Sequence, residues 1–207
     1  MTILPDSLRR PGPFSVPNLL TYGRILAIPA VVGLLFWPRD DWVRWIALAI
    51  YVIAAITDYF DGYLARAWHQ QSAIGRMLDP IADKLLVASC LLMLAADETI
   101  SGMALWAAII ILCREILVSG LREFLAELQV SVPVSKVAKW KTVAQLVAVG
   151  FLIAGPAGET VLPGTILIGI VLLWVAAVLT IYTGWDYFRS GIRHLVAEDE
   201  HNSQNTP

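Results

Sequence analysis

The stretch from Val161 to Thr183 contains no charged residue, and five more apolar runs share the chain with it. About 20 helical residues suffice to cross the roughly 30 Å hydrocarbon core of a bilayer, so runs of this length dictate membrane helices. The others centre on 22–37, 43–60, 80–96, 102–120 and 142–155. Composition agrees: 57% of the 207 residues are hydrophobic, 15% are charged and the mean hydropathy is +0.67, which excludes an ordinary water-soluble globule. The expected fold is all-α, a polytopic membrane protein of six transmembrane helices.

Short polar breaks separate the runs: Trp37-Pro38-Arg39-Asp40-Asp41, Asp97-Glu98-Thr99 and Gly155-Pro156-Ala157-Gly158. None can hold a second domain. Residues 1–195 are expected to form one membrane domain, and 196–207 a polar, disordered tail. The segment Phe14 to Tyr22 precedes the first run and is read, despite its short length, as a stretch lying along the membrane surface. Arg9 and Arg10 stand before that run, but Pro11, Pro13, Pro17 and Arg24 interrupt a signal-peptide pattern, so an uncleaved first span is expected. Cys90 and Cys113 lie singly inside apolar runs, where burial for packing is the expectation. His69, His194 and His201 lack metal-ligand spacing and read as solvated surface.

Charge distribution orients the bundle. Of fifteen Lys and Arg, all but Arg39 and Arg44 fall towards one face. By the positive-inside rule that face is cytoplasmic, and an even number of spans puts both termini there. Trp37, Trp42, Trp45 and Trp106 fall near the opposite interface, as an aromatic belt does.

Charges inside spans are costly and mark function. Asp58 and Asp61, spaced i, i+3, end the second run; Asp79 and Asp83, spaced i, i+4, open the third. Each pair shares a helix face, and antiparallel helices can set the faces opposite one another. Four converging carboxylates need a compensating cation, and hard oxygen donors suit Mg²⁺ or Mn²⁺, with two ions expected. Paired metals are a usual solution for phosphoryl chemistry. The competing account, solvated aspartates paired with Arg66, Arg76 and Lys84, explains one acid more easily than four.

Written in full, the segment is Asp58-x2-Asp61-Gly62-x2-Ala65-Arg66-x8-Gly75-x3-Asp79-x3-Asp83. It resembles the signature of the CDP-alcohol phosphotransferase family, six-helix membrane enzymes that displace CMP from a CDP-linked donor with an alcohol. The resemblance implies that Asp58, Asp61 and Asp79 hold the metal ions, with Asp83 as a further ligand or the general base. It also implies that Gly62, Ala65 and Gly75 make room for the CDP moiety, with Asp61 and Arg66 beside it. The opening Pro17-Asn18-Leu19-Leu20-Thr21-x2-Arg24 is similar to the family too, which places Asn18 and Thr21 on the donor side. A homodimer and a cytoplasmic-face active site are further implications.

A second group decides the acceptor. Arg114-Glu115, Leu121-Arg122-Glu123 and Lys139-Trp140-Lys141-Thr142 with Gln145 resemble the branch of the family that uses glycerol 3-phosphate. Ala138 departs from that branch, which has glycine there. A dianionic phosphate needs cations, and Arg114, Arg122, Lys139 and Lys141 are the candidates. The alternative for these cations is topology and contact with anionic lipid.

The expected activity is transfer of the phosphatidyl group from CDP-diacylglycerol to glycerol 3-phosphate in a bacterial inner membrane, with membrane lipids but no nucleic acid as partners. Other acceptors (inositol phosphate, serine or phosphatidylglycerol) are the nearest alternative. A cation transporter is the other, although its coupling acids would sit near the midplane, commonly with internal repeats.

Overall fold

A computed structural model describes residues 16–36, 40–67, 73–127 and 136–204. Arg9, Arg10, Trp37, Arg39 and His69 lie outside the described residues. The described residues form helices joined by short turns and contain no strand: α1 (Val16–Phe36), α2 (Asp41–Ala67), α3 (Ala73–Ala96), α4 (Ala104–Glu127), α5 (Lys136–Val161) and α6 (Thr165–Gln204).

Exposure differs from that of a water-soluble protein. Leu26, Phe36, Ile116 and Val161 are each more than 70% exposed, whereas Arg24, Arg44, Lys141 and Gln145 are buried. Apolar side chains outside and polar ones inside is the arrangement a hydrocarbon solvent requires. Among the described residues, four helices are long and apolar enough to cross a membrane: α1 over Asn18–Phe36, α4 over Ala104–Ala126, α5 over Val137–Val161 and α6 over Thr165–Arg189. α2 and α3 carry the acids, Asp58 and Asp61 on one and Asp79 and Asp83 on the other.

The structure adjusts several sequence expectations. From Val16 onward the segment leading to Tyr22 is the first part of α1 rather than a separate surface helix. The break at Gly155-Pro156 does not end α5. Gly155 takes a left-handed conformation (φ 43°, ψ −126°), and the helix resumes because proline suits the first turn of a helix. The chain instead turns at residues 162–164, where both Glu159 carboxylate oxygens cap the start of α6. They accept the N–H groups of Gly164 and Ile166, each at 2.8 Å. α6 continues to Gln204, through the stretch expected to lack order; no glycine or proline interrupts it after Gly191. Cys90 is buried, but Cys113 is exposed on α4.

Two compact units divide the chain. In the first, which contains α1, α2, α3 and residues 149–166, α1 packs against both α2 and α3. Val31, Val43, Ala47, Leu91 and Leu94 lie in its core. One end of this unit is tied by Arg44. Its guanidinium is paired with Asp97 and donates to Thr99 Oγ1 at 3.3 Å and to the Ile153 carbonyl at 3.2 Å. The break at Gly155 disturbs the i→i−4 ladder there, so the Ile153 carbonyl is open to a side-chain donor.

The second unit holds α4, α5 up to Ala148 and α6 from Leu167. Ala107, Ala108, Ala148, Ala176 and Ala177 are buried within it. Small residues of this kind let membrane helices approach closely.

Candidate active site

In the first unit, Asn18, Thr21 and Arg24 recur every three residues and form a polar stripe along α1; all three are buried. The stripe meets the acids. Arg24 Nη1 lies 2.5 Å from Asp58 Oδ1 of α2 and 2.7 Å from Asp83 Oδ1 of α3, so two carboxylates on different helices converge on one nitrogen. The Arg24 side chain is wholly excluded from solvent, whereas those of Asp58 and Asp83 are 37% and 48% exposed. The acids therefore keep an open side. Thr21 donates its hydroxyl to Asp79 Oδ1 at 2.6 Å. That bond orients the third acid and ties Thr21 to the carboxylates. Gly75 is buried.

Asp61, Gly62, Ala65 and Arg66 continue α2, but their side chains lie outside the described residues. Among the described residues, no group of three or more His, Cys, Asp or Glu side chains is close enough to enclose an ion. The donor chemistry nonetheless fits a small hard cation, because Asp58 and Asp83 already share a positive group between their oxygens. Lys84, one candidate for neutralising the acids, instead donates to the Pro80 carbonyl at 3.0 Å.

In the second unit, Glu115 gathers the cations. Its Oε1 is paired with Lys141 of α5 and lies 3.4 Å from Arg114 Nη1 on its own helix. Arg114 Nη2 donates to Thr183 Oγ1 at 2.9 Å, and that hydroxyl donates to the Leu179 carbonyl at 2.9 Å. Gly184 allows this approach, since a Cβ there would stand 3.2 Å from Arg114 Cγ. Arg114 Nε is buried with no partner among the described residues, a donor still available to an anion. Arg122 donates to the Tyr187 hydroxyl at 3.0 Å, with its guanidinium 5.5 Å from the ring centre. Lys139 is exposed, because residues two apart on a helix point to different faces and Lys141 is the one turned inward.

Of the sequence candidates, the structure therefore joins Asp58 with Asp83, Thr21 with Asp79, and Arg114 with Lys141 through Glu115. Arg24, Thr183 and Tyr187 were given no site role by the sequence reading. Arg24 had a signal, a cation inside an apolar run, but Thr183 and Tyr187 had none.

Carboxylates from α2 and α3 meet a buried arginine of α1, on helices whose large apolar side chains are widely exposed. The chain belongs to the CDP-alcohol phosphatidyltransferase family of enzymes: the family profile matches residues 14–182. Three relatives are named CDP-diacylglycerol–glycerol-3-phosphate 3-phosphatidyltransferase. The one from Cereibacter sphaeroides is 39% identical over 89% of this chain and 99% of its own length. The one from Rickettsia typhi is 45% identical over 85% and 96%, and the one from Shigella flexneri is 42% identical over 84% and 93%.

Proposed function

We propose that this chain transfers the phosphatidyl group of CDP-diacylglycerol to glycerol 3-phosphate, giving phosphatidylglycerol phosphate and CMP. The observation that carries the chemistry is the convergence of Asp58 and Asp83, from α2 and α3, on Arg24 of α1. The relatives' names supply the acceptor, and the Arg114–Glu115–Lys141 cluster supports it.

Asp58, Asp61, Asp79 and Asp83 hold Mg²⁺ or Mn²⁺, two ions in this reading. Bound there, such ions supply charge neutralisation for the pyrophosphate and for departing CMP. The chain's own groups do the rest. Thr21 fixes the orientation of Asp79, and Asn18, Gly62, Ala65, Arg66 and Gly75 receive the CDP moiety beside Asp61. Asp83 takes the proton of the attacking primary hydroxyl, a role that requires hydrogen-bond reach to it. Arg114, Arg122, Lys139 and Lys141 bind the acceptor phosphate, with the free Nε–H of Arg114 and the inward-facing Lys141 as the main contacts.

Six spans with both termini and the active site on the cytoplasmic side of a bacterial inner membrane complete the reading, together with the homodimer implied by family resemblance. Purified protein in detergent should release CMP from CDP-diacylglycerol only when glycerol 3-phosphate and Mg²⁺ or Mn²⁺ are both supplied. Full turnover in excess chelator would remove the metal assignment, and equal turnover with serine or inositol phosphate would remove the acceptor.

A further inference from the structure

Two polar atoms in the second unit have no use in the reading above. Gln145 Oε1 and Thr180 Oγ1 are buried with no hydrogen-bond partner among the described residues. Their residues are 5% and 0% exposed. A buried amide oxygen or hydroxyl left unpaired costs free energy, so each needs a partner that the described chain does not provide.

Their position indicates the partner. Gln145 stands one turn along α5 from Lys141, about 6 Å by helix rise, and Thr180 stands one turn along α6 from Thr183, the residue bonded to Arg114. Beyond them the buried faces are apolar: Ala148 on α5, Ala177, Ala176 and Leu173 on α6. The two orphaned atoms thus mark, on both helices, where the polar lining around the cations gives way to core. One turn of helix is comparable with the distance from a phosphate to the hydroxyls of the three-carbon chain it sits on.

The chemistry of the pair differs from that of the cations. An amide oxygen accepts and cannot donate, so it gains nothing from a phosphate dianion, which has only acceptors to offer. It requires a donor, and a hydroxyl group provides one. Threonine can both donate and accept, which suits the same hydroxyl or its neighbour.

We propose that Gln145, assisted by Thr180, recognises the secondary hydroxyl of the acceptor and makes this site specific for a vicinal diol phosphate. The assignment rests on the glycerol 3-phosphate reading above and adds a specificity determinant to it. The phosphate is held by the cations and the secondary hydroxyl by Gln145, which leaves the primary hydroxyl to react.

The test compares two acceptors that share phosphate and primary hydroxyl: glycerol 3-phosphate, and 3-hydroxypropyl phosphate, which has hydrogen in place of the secondary hydroxyl. With CDP-diacylglycerol as donor and CMP release as readout, the parent should show a KM at least about fivefold lower for glycerol 3-phosphate. In Gln145→Met the ratio of the two KM values should collapse towards one, through a rise for glycerol 3-phosphate. Thr180→Val should move the ratio in the same direction by a smaller factor. Because the orphaned oxygen is replaced by an apolar group of similar size, ligand-free Gln145→Met should have a Tm equal to or above that of the parent. A parent that treats the two acceptors alike, a Gln145→Met that raises both KM values equally, or a lowered ligand-free Tm with the ratio retained would each overturn this assignment alone. Absence of any CMP release with glycerol 3-phosphate would overturn the proposed function itself, and this assignment with it. Should Gln145→Met fail to fold, the ratio in Thr180→Val decides.

Discussion

Arg24 has its charge wholly out of solvent and two counter-charges within 2.7 Å, so the acid cluster is partly compensated before any ion binds. Removing one acid leaves the other in place. Asp58→Ala is therefore expected to abolish CMP release while the protein keeps its thermal unfolding profile, since Asp83 still pairs with Arg24; a variant that is both inactive and unfolded would show Asp58 to be structural. In the second unit the cations are not equivalent. Lys141 is buried against Glu115 and Arg114 has a spare donor, whereas Lys139 is exposed. A charge-assisted hydrogen bond contributes about 1.5–3 kcal/mol, so Arg114→Gln and Lys141→Gln should raise KM for glycerol 3-phosphate about tenfold or more, with KM for CDP-diacylglycerol nearly unchanged. Lys139→Gln should change it less, and an unchanged acceptor KM in all three would end the phosphate assignment. The spacing of the four aspartates was legible because helix periodicity decides which residues share a face. The part played by Arg24 was not, because a cation close to a helix end reads equally well as a topology signal.

Among the elements, α5 shows how far local sequence reaches. Gly155-Pro156 announced a break, and the backbone does break there, but proline begins a helical turn as readily as it ends one, so the resumption to Val161 could not be read from the dipeptide. The turn at 162–164 depends on Glu159 capping the N–H groups of Gly164 and Ile166, a contact between residues five and seven apart. At Gly155 the positive φ penalises any L side chain, and a Cβ would come within 2.5 Å of Arg44 Nη1. Gly155→Ala should accordingly cost at least about 1–3 kcal/mol, read as a lower midpoint in thermal or denaturant unfolding in detergent. Asp97→Ala, which leaves Arg44 buried without its carboxylate, should cost about 3–5 kcal/mol. Either variant unfolding at the parent's midpoint would mean that this end of the unit contributes little to stability.

For the whole molecule, the apolar runs made the helical membrane class legible, and among the described residues four helices satisfy length and apolarity outright. α2 and α3 combine apolar stretches with the acids of the site, so hydropathy and chemistry share the same helices. The six-span topology makes a direct prediction: reporters active only in the cytoplasm should work when fused to either terminus, and reporters active only outside should work at neither. A split result would mean an odd number of spans. Arg44 belongs to this question as well, because it is one of two cations assigned to the far side and is cancelled by Asp97. Its partners are made long after it: Asp97 follows by 53 residues and Ile153 by 109. While the chain is being synthesised, the second helix must therefore hold a charge whose full set of acceptors does not yet exist. That set is complete only once residue 153 has been made, so this end of the unit closes late in synthesis, and a single side chain ties an early helix to a late one.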